Sequence, residues 1–138
     1  MKKIIANKKT YKLPDWYANI VYKCGFRRIS QTITGRPYYI NLHNGDVCKV
    51  TDKGRLQVLK PDTNNNGYKR VKLKTADGNY ANFTVHRLVG LFVTHHDKTK
   101  TQINHRNLNK TDNCIDNLEW VTPKENTQHY HKNKEQKK

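Results

Sequence analysis

The chain has 138 residues, 34% of them hydrophobic, with 27 Lys and Arg against 11 Asp and Glu, a formal net charge of +16 and a mean hydropathy of −1.03. That length and composition support about one domain with a small core, and they argue against a large, elaborated enzyme pocket. The charge excess goes beyond what solubility needs and creates a surface potential that attracts polyanions, nucleic acid first; neither a long apolar run nor a basic amphipathic helix speaks for a membrane surface instead.

Residues 1–36 read as a basic arm and a short helix. Lys2, Lys3, Lys8, Lys9 and Lys12 stand in the first twelve positions without an acid, which suits either an arm laid along a phosphate backbone or a solvated terminus. The apolar segment at Ile4-Ile5-Ala6 is too short for a signal peptide, so a cytoplasmic location is expected. After Pro14, the residues Trp16, Ile20, Val21 and Cys24 recur at helical spacing and Gly25 supplies a stop, predicting a helix over 15–24. Phe26-Arg27-Arg28-Ile29 follows as a basic link, with Arg27 and Arg28 as candidate DNA contacts. Cys24, Cys48 and Cys114 form no Cys-x-x-Cys pair and are odd in number, so they read as small, partly buried thiols, with no structural zinc expected.

Residues 37–85 read as an antiparallel β module. Tyr38-Tyr39-Ile40 runs into Asn44-Gly45, a strong hairpin signal, and Val47-Cys48-Lys49-Val50 returns. Further turns at Asp52-Lys53-Gly54, Asn64-Asn65-Asn66-Gly67 and Ala76-Asp77-Gly78-Asn79 separate strands at Leu56–Leu59, Tyr68–Lys74 and Tyr80–Val85, and one small antiparallel sheet is the natural sum. Alternation over 68–74 puts Tyr68, Arg70, Lys72 and Lys74 on one face and Lys69, Val71 and Leu73 on the other. Such a face can lie in a DNA groove or simply be solvated, and Lys69, Arg70, Lys72 and Lys74 are the candidate contacts.

Residues 86–131 carry the chemistry, and 132–138 form a basic tail. His86–Val93 reads as a short apolar helix weakened by Gly90, with His86 expected to make a structural hydrogen bond. His95-His96-Asp97 reads as an exposed polar turn. Strands are predicted at Thr101–His105 and Asn117–Val121, joined by a polar loop that includes Arg106 and Lys110, two more candidate DNA contacts. Thr122-Pro123-Lys124-Glu125 combines a Thr cap, Pro at the first helical position and Glu three after the cap, predicting a helix from 123 to about 131. Asn126, His129 and Tyr130 share a face of that helix.

A β-β-α unit of this kind can hold what phosphodiester hydrolysis requires. His105, with an ordinary pKa near 6.5, can take a proton from water. Amide oxygens of Asn104 and Asn126 can supply part of the shell of a hard divalent cation at the scissile phosphate, and Asn117 can hold the loop or the His105 ring. In the words Val85–Val89, Ile103-Asn104-His105, Lys110–Asn113, Asp116–Thr122 and Glu125–His129 the sequence resembles the HNH, or ββα-metal, endonucleases, and in particular their phage and intron homing-endonuclease branch.

The resemblance covers about residues 84–131. It implies an α+β fold, a small antiparallel sheet module followed by a ββα-metal core, acting as a metal-dependent endonuclease on double-stranded DNA and leaving 5′-phosphate ends. It implies His105 as general base, Asn117 as orienting residue, and Asn104 and Asn126 as ligands of one Mg²⁺ or Mn²⁺, with His129 as a ligand, a phosphate contact or a supporting side chain. Asn at position 126 agrees with this branch. Two departures stand out: the family often has Asp where Asn104 stands, which weakens metal attraction, and it often has an Asp-Gly turn where this chain reads Asn107-Leu108, although leucine does not take positive φ cheaply. A DNA-binding regulator on an inactive core and an RNA-directed nuclease are the rival readings, and monomer or homodimer is left open.

Overall fold

The computed structural model describes residues 12–30, 33–95 and 97–136, with the backbone alone over 132–136. Residues 1–11 of the expected arm, residues 31–32, His96 and all side chains of the expected basic tail lie outside the described set. The order is helix α1 (Asp15–Lys23), strands β1 (Phe26–Arg28), β2 (Tyr38–Asn41), β3 (Val47–Val50), β4 (Leu56–Val58), β5 (Asp62–Thr63), β6 (Lys69–Lys74) and β7 (Tyr80–Thr84), helix α2 (Val85–Gly90), strand β8 (Gln102–His105), a single 3₁₀ turn (Ile115–Asn117), strand β9 (Leu118–Val121) and helix α3 (Pro123–Gln136). This is the α+β class the sequence implied. Among the described residues no helix is long and apolar enough to cross a membrane.

The expected single sheet divides. Strands β1-β2-β3-β4 make one antiparallel sheet, β5-β6-β7 a second, and β8-β9 a third. Pro61, which has no N–H to give, stands between β4 and β5, where the first ladder ends and a new one begins. The two larger sheets are tied where Thr34 bridges Thr75 and where the Lys74 N–H donates to the Tyr38 hydroxyl at 3.0 Å.

Two sequence expectations change near the N-terminus. The basic link at 26–29 is a strand: Arg27 pairs with Ile40 across β1 and β2, and Ile29 is fully buried. Arg27 is already engaged, its guanidinium lying over the Tyr22 ring and donating to the carbonyls of Tyr22 and Phe26. On α1 the buried residue is Val21, with Tyr17 and Ala18 packed beside it, whereas Trp16 is 68% and Ile20 52% exposed. The helix meets the sheet on the 17-18-21 stripe, so the apolar periodicity that included Trp16 and Ile20 marked the wrong face. Cys24, on that same wrong face, is exposed, Cys48 is buried and Cys114 lies between.

The larger of two hydrophobic clusters among the described residues links the three sheets and α2. It joins Ile29, Tyr38, Ile40 and Val47 of the first sheet, Val71 and Leu73 of the second, Val85, Leu88 and Val89 of α2, and Ile103 and Leu118 of the hairpin. Gly90 is what lets α2 approach the hairpin: a Cβ there would lie 2.3 Å from Ile103 Cδ1, and the Gly90 carbonyl accepts the Trp120 indole N–H at 3.1 Å. The residue that looked like a weakness in a helix is a close-packing position.

Candidate active site

Strands β8 and β9 pair in a register that sets Asn104 opposite Glu119 and His105 opposite Leu118. Alternation then sends Gln102 and Asn104 to one face, Ile103 and His105 to the other. Helix α3 crosses the first face. Its start is fixed by the expected reciprocal cap, the Glu125 N–H donating to Thr122 Oγ1 at 3.1 Å and the Thr122 N–H to Glu125 Oε1 at 2.9 Å. With the start fixed, Asn126 falls against Gln102 and His129, three residues on, against Asn104: Asn126 Nδ2 donates to Gln102 Oε1 and Asn104 Nδ2 to His129 Nδ1, both at 2.9 Å.

These contacts decide which atoms are left for chemistry. Asn126 spends an amide N–H on Gln102, and Asn104 spends its amide on His129 and, also at 2.9 Å, on Glu119 Oε1. Both side chains therefore present an amide oxygen, the hard donor that Mg²⁺ or Mn²⁺ prefers. His129 Nδ1 is the acceptor in its bond with Asn104, so this nitrogen positions the amide. Asn104, His105 and Asn126 line one cleft of about 260 Å³ together with Tyr68, Ile103, Leu108, Lys110, Thr127 and Tyr130.

His105 is only 4% exposed, and its Nε2 lies 2.9 Å from Asn113 Oδ1. An oxygen acceptor at that distance puts the proton on Nε2 and leaves the lone pair of the neutral ring on Nδ1. Burial pushes the imidazole below its ordinary pKa, opposed by the Asn113 bond and the charge of Asp112. The ring is neutral at physiological pH. It is also packed on two aromatic neighbours: Tyr68 lies nearly parallel at 5.9 Å between centroids, and His86 is tilted at 5.2 Å. His86 thus enters the core through ring contacts, stacking on Tyr68 at 4.6 Å.

Asn117 holds the loop and does not touch the His105 ring. Its Oδ1 accepts the Asn107 N–H at 3.1 Å, and its Nδ2 donates to Asn107 Oδ1 and the Asp112 carbonyl, both at 2.9 Å. The loop so closed carries Asn113, itself 2% exposed, to the ring. The tip of the β2-β3 hairpin supports it from behind, where Gly45, at φ +80°, leaves room that a Cβ would fill at 2.8 Å from the Asn113 side chain. Leu108 takes the left-handed conformation, φ +62°, that glycine would adopt without strain.

The expected DNA contacts are unequal. Lys72 is exposed, and Lys74 stands beside the exposed Tyr80 across β6 and β7. Arg28 is exposed and Lys69 half-buried. Arg70 is held by Asp62 at 2.7 Å and Arg106 by Glu119 at 3.4 Å. Lys110 lies over the Tyr68 ring, 4.9 Å from its centroid, and donates to the Asn66 carbonyl at 2.7 Å. His95 lies tilted against Trp120 at 4.9 Å between centroids, and no cluster of His, Cys, Asp or Glu suited to a metal occurs among the described residues.

The roles of Asn113 and Glu119, the contact of His129 with Asn104, and the ring stack on His105 were missed in the sequence. Asn113 stands inside a motif word, but nothing local gives it a role. Glu119 follows from the β8-β9 register, which a connection as long as this one does not reveal.

A long-looped hairpin crossed by a capped helix, with a buried histidine and two asparagines at its cleft, is the ββα core of a nuclease fold. The chain belongs to the HNH endonucleases. No family model matches it, but it is 40% identical over 100 residues to the uncharacterized HNH endonuclease L247 of Acanthamoeba polyphaga mimivirus, covering 70% of this chain and 24% of that protein. It is 31% identical over 101 residues to the SPbeta prophage-derived putative HNH homing endonuclease YosQ of Bacillus subtilis, covering 73% of this chain and 56% of that one. A solved structure of the HNH homing endonuclease I-HmuI, concerned with DNA binding and cleavage by that enzyme, superposes with a TM-score of 0.65 at 28% identity, over 78% of this chain and 58% of that one. The chain thus spans about a quarter of the length of the first relative and little more than half of the second.

Proposed function

We propose that this chain hydrolyses phosphodiester bonds of double-stranded DNA with the help of one divalent cation, His105 acting as general base and Asn104 and Asn126 as protein ligands of the cation. The observation that carries the reading is the 2.9 Å contact between His105 Nε2 and Asn113 Oδ1: an oxygen acceptor there calls for the proton on Nε2 and leaves the lone pair to Nδ1, on a ring that lines the same cleft as Asn104 and Asn126. Nδ1 takes a proton as water oxygen attacks phosphorus, and the bond to the 3′-oxygen breaks, leaving a 5′-phosphate. Asn113 and the Tyr68 and His86 rings keep the imidazole from rotating out of line, and Asn117 keeps Asn113 in place.

Asn104 and Asn126 would hold Mg²⁺ or Mn²⁺ through Oδ1, and the donor chemistry fits a hard cation. When bound, the cation supplies charge neutralisation at the scissile phosphate and the departing oxygen. Net charge of +16 brings the duplex to the protein, with Arg28, Lys72 and Lys110 as the side chains on exposed or cleft surface and Lys74 half-buried.

The test is nicking of supercoiled plasmid. Cleavage with Mg²⁺ or Mn²⁺ is expected, with none in excess EDTA, and His105→Ala should lose cleavage while retaining DNA binding at the same salt concentration. Metal-independent cleavage, or full cleavage by His105→Ala, refutes the mechanism. Tight DNA binding without nicking under any divalent metal favours a regulator, and preference for an RNA competitor favours an RNA-directed role.

A further inference from the structure

The ligand assigned to Asn104 is neutral, and a cation held only by amide oxygens lacks compensating protein charge. The structure places a carboxylate one hydrogen bond away. Glu119 faces Asn104 across β8 and β9, and its Oε1 accepts Asn104 Nδ2 at 2.9 Å. The same nitrogen is 2.9 Å from His129 Nδ1. A side-chain amide nitrogen carries two protons, and here each has an acceptor. Flipping the amide would set its oxygen against a carboxylate oxygen and an imidazole lone pair, so Asn104 is held with Oδ1 turned away from Glu119 and His129.

Glu119 is not fully neutralised by its other neighbour. Arg106 lies 3.4 Å from Oε2, but the Arg106 side chain is 58% exposed against 31% for Glu119, and a solvated pair of this kind is weak and screened by salt. The carboxylate charge is therefore directed in good part at the Asn104 amide. Outer carboxylates bonded to a metal's ligand both orient it and increase its electron donation, and their loss characteristically lowers metal affinity about 10- to 100-fold.

We propose that Glu119 is a positioning residue of the metal site, supplying through Asn104 the negative charge that an aspartate would supply directly, and that His129 is the second positioning residue on the same amide. This rests on the reading of Asn104 as a metal ligand. It gives the neutral residue at position 104 a physical partner: the charge has moved across the hairpin by one hydrogen bond. An aspartate at position 104 would face Glu119 and suffer like-charge repulsion.

The test uses the full chain and Mn²⁺ alone, with binding read by electron paramagnetic resonance, beside DNA binding in EDTA and thermal unfolding. Glu119→Gln keeps an acceptor for the amide and removes the charge. It should weaken Mn²⁺ binding by about tenfold or more, with DNA binding in EDTA undiminished and the fold intact. Asn104→Asp added to Glu119→Gln should restore the affinity, since the introduced glutamine amide can donate to the new carboxylate. Mn²⁺ binding by Glu119→Gln within twofold of the parent overturns the proposal while leaving the nuclease reading standing, and so does failure of Asn104→Asp to restore it. A parent chain that binds no Mn²⁺ overturns both.

Discussion

Acid should lower the stability of the fold from about pH 6.5 downward, through the buried histidine behind the candidate active site. His86 is 8% exposed, stacked on Tyr68 and tilted against His105. Burial, then the charges of His105 and Arg87, lower its pKa from the usual 6.5 to about 4. Because the folded value lies below the unfolded one, the unfolded chain binds the extra proton between them. Stability is therefore fully present above about pH 6.5 and falls as the pH drops toward 4. At about 1.4 kcal/mol per pH unit per proton, His86 alone costs about 2 kcal/mol between pH 7 and pH 5. His105, also lowered by burial, adds to the loss in the same direction.

Against a typical stability of about 5–15 kcal/mol, this is a measurable fraction. Urea unfolding of the parent and of His86→Phe at both pH values isolates it, since Phe keeps an aromatic ring and takes no proton. The parent should lose about 2 kcal/mol more than the variant. Equal losses would refute the assignment of a buried, neutral His86.

Packing sets three more outcomes. Gly90→Ala should destabilise by about 1–3 kcal/mol in chemical unfolding, since the clash with Ile103 outweighs the gain in helix propensity of about 1 kcal/mol. Leu108→Gly should leave stability unchanged or raise it by up to about 1 kcal/mol, because relief at φ +62° offsets the entropy of glycine; a loss beyond about 1 kcal/mol would mean that leucine's packing at the cleft dominates. Asn113→Ala should cut kcat for nicking by about tenfold or more with little change in KM, as the His105 ring loses the acceptor that fixes its tautomer. An unchanged kcat would remove Asn113 from the site.

Amino-acid order alone was enough for what is local. The cap at Thr122 and Glu125 fixed the phase of α3 and so brought Asn126 and His129 to one face; the Asn44-Gly45 turn fixed the β2-β3 hairpin; and three of the residues singled out by spacing, Asn104, His105 and Asn126, line one cleft. Each rests on hydrogen bonds or periodicities spanning a few residues, or on motif words whose order along the chain is itself the signal. Tertiary packing settled which atoms those residues have left to use. Asn117 could have held either the loop or the His105 ring; it closes the loop, while Asn113 holds the ring. The sheet module was expected to stand upstream of the core, yet Tyr68 packs on His105 and Gly45 packs behind Asn113. A side-chain amide or imidazole has several donors and acceptors, and neighbours distant in sequence determine which remain for chemistry. Glu119, inconspicuous within its strand, became part of the candidate metal site only when the β8-β9 register set it against Asn104.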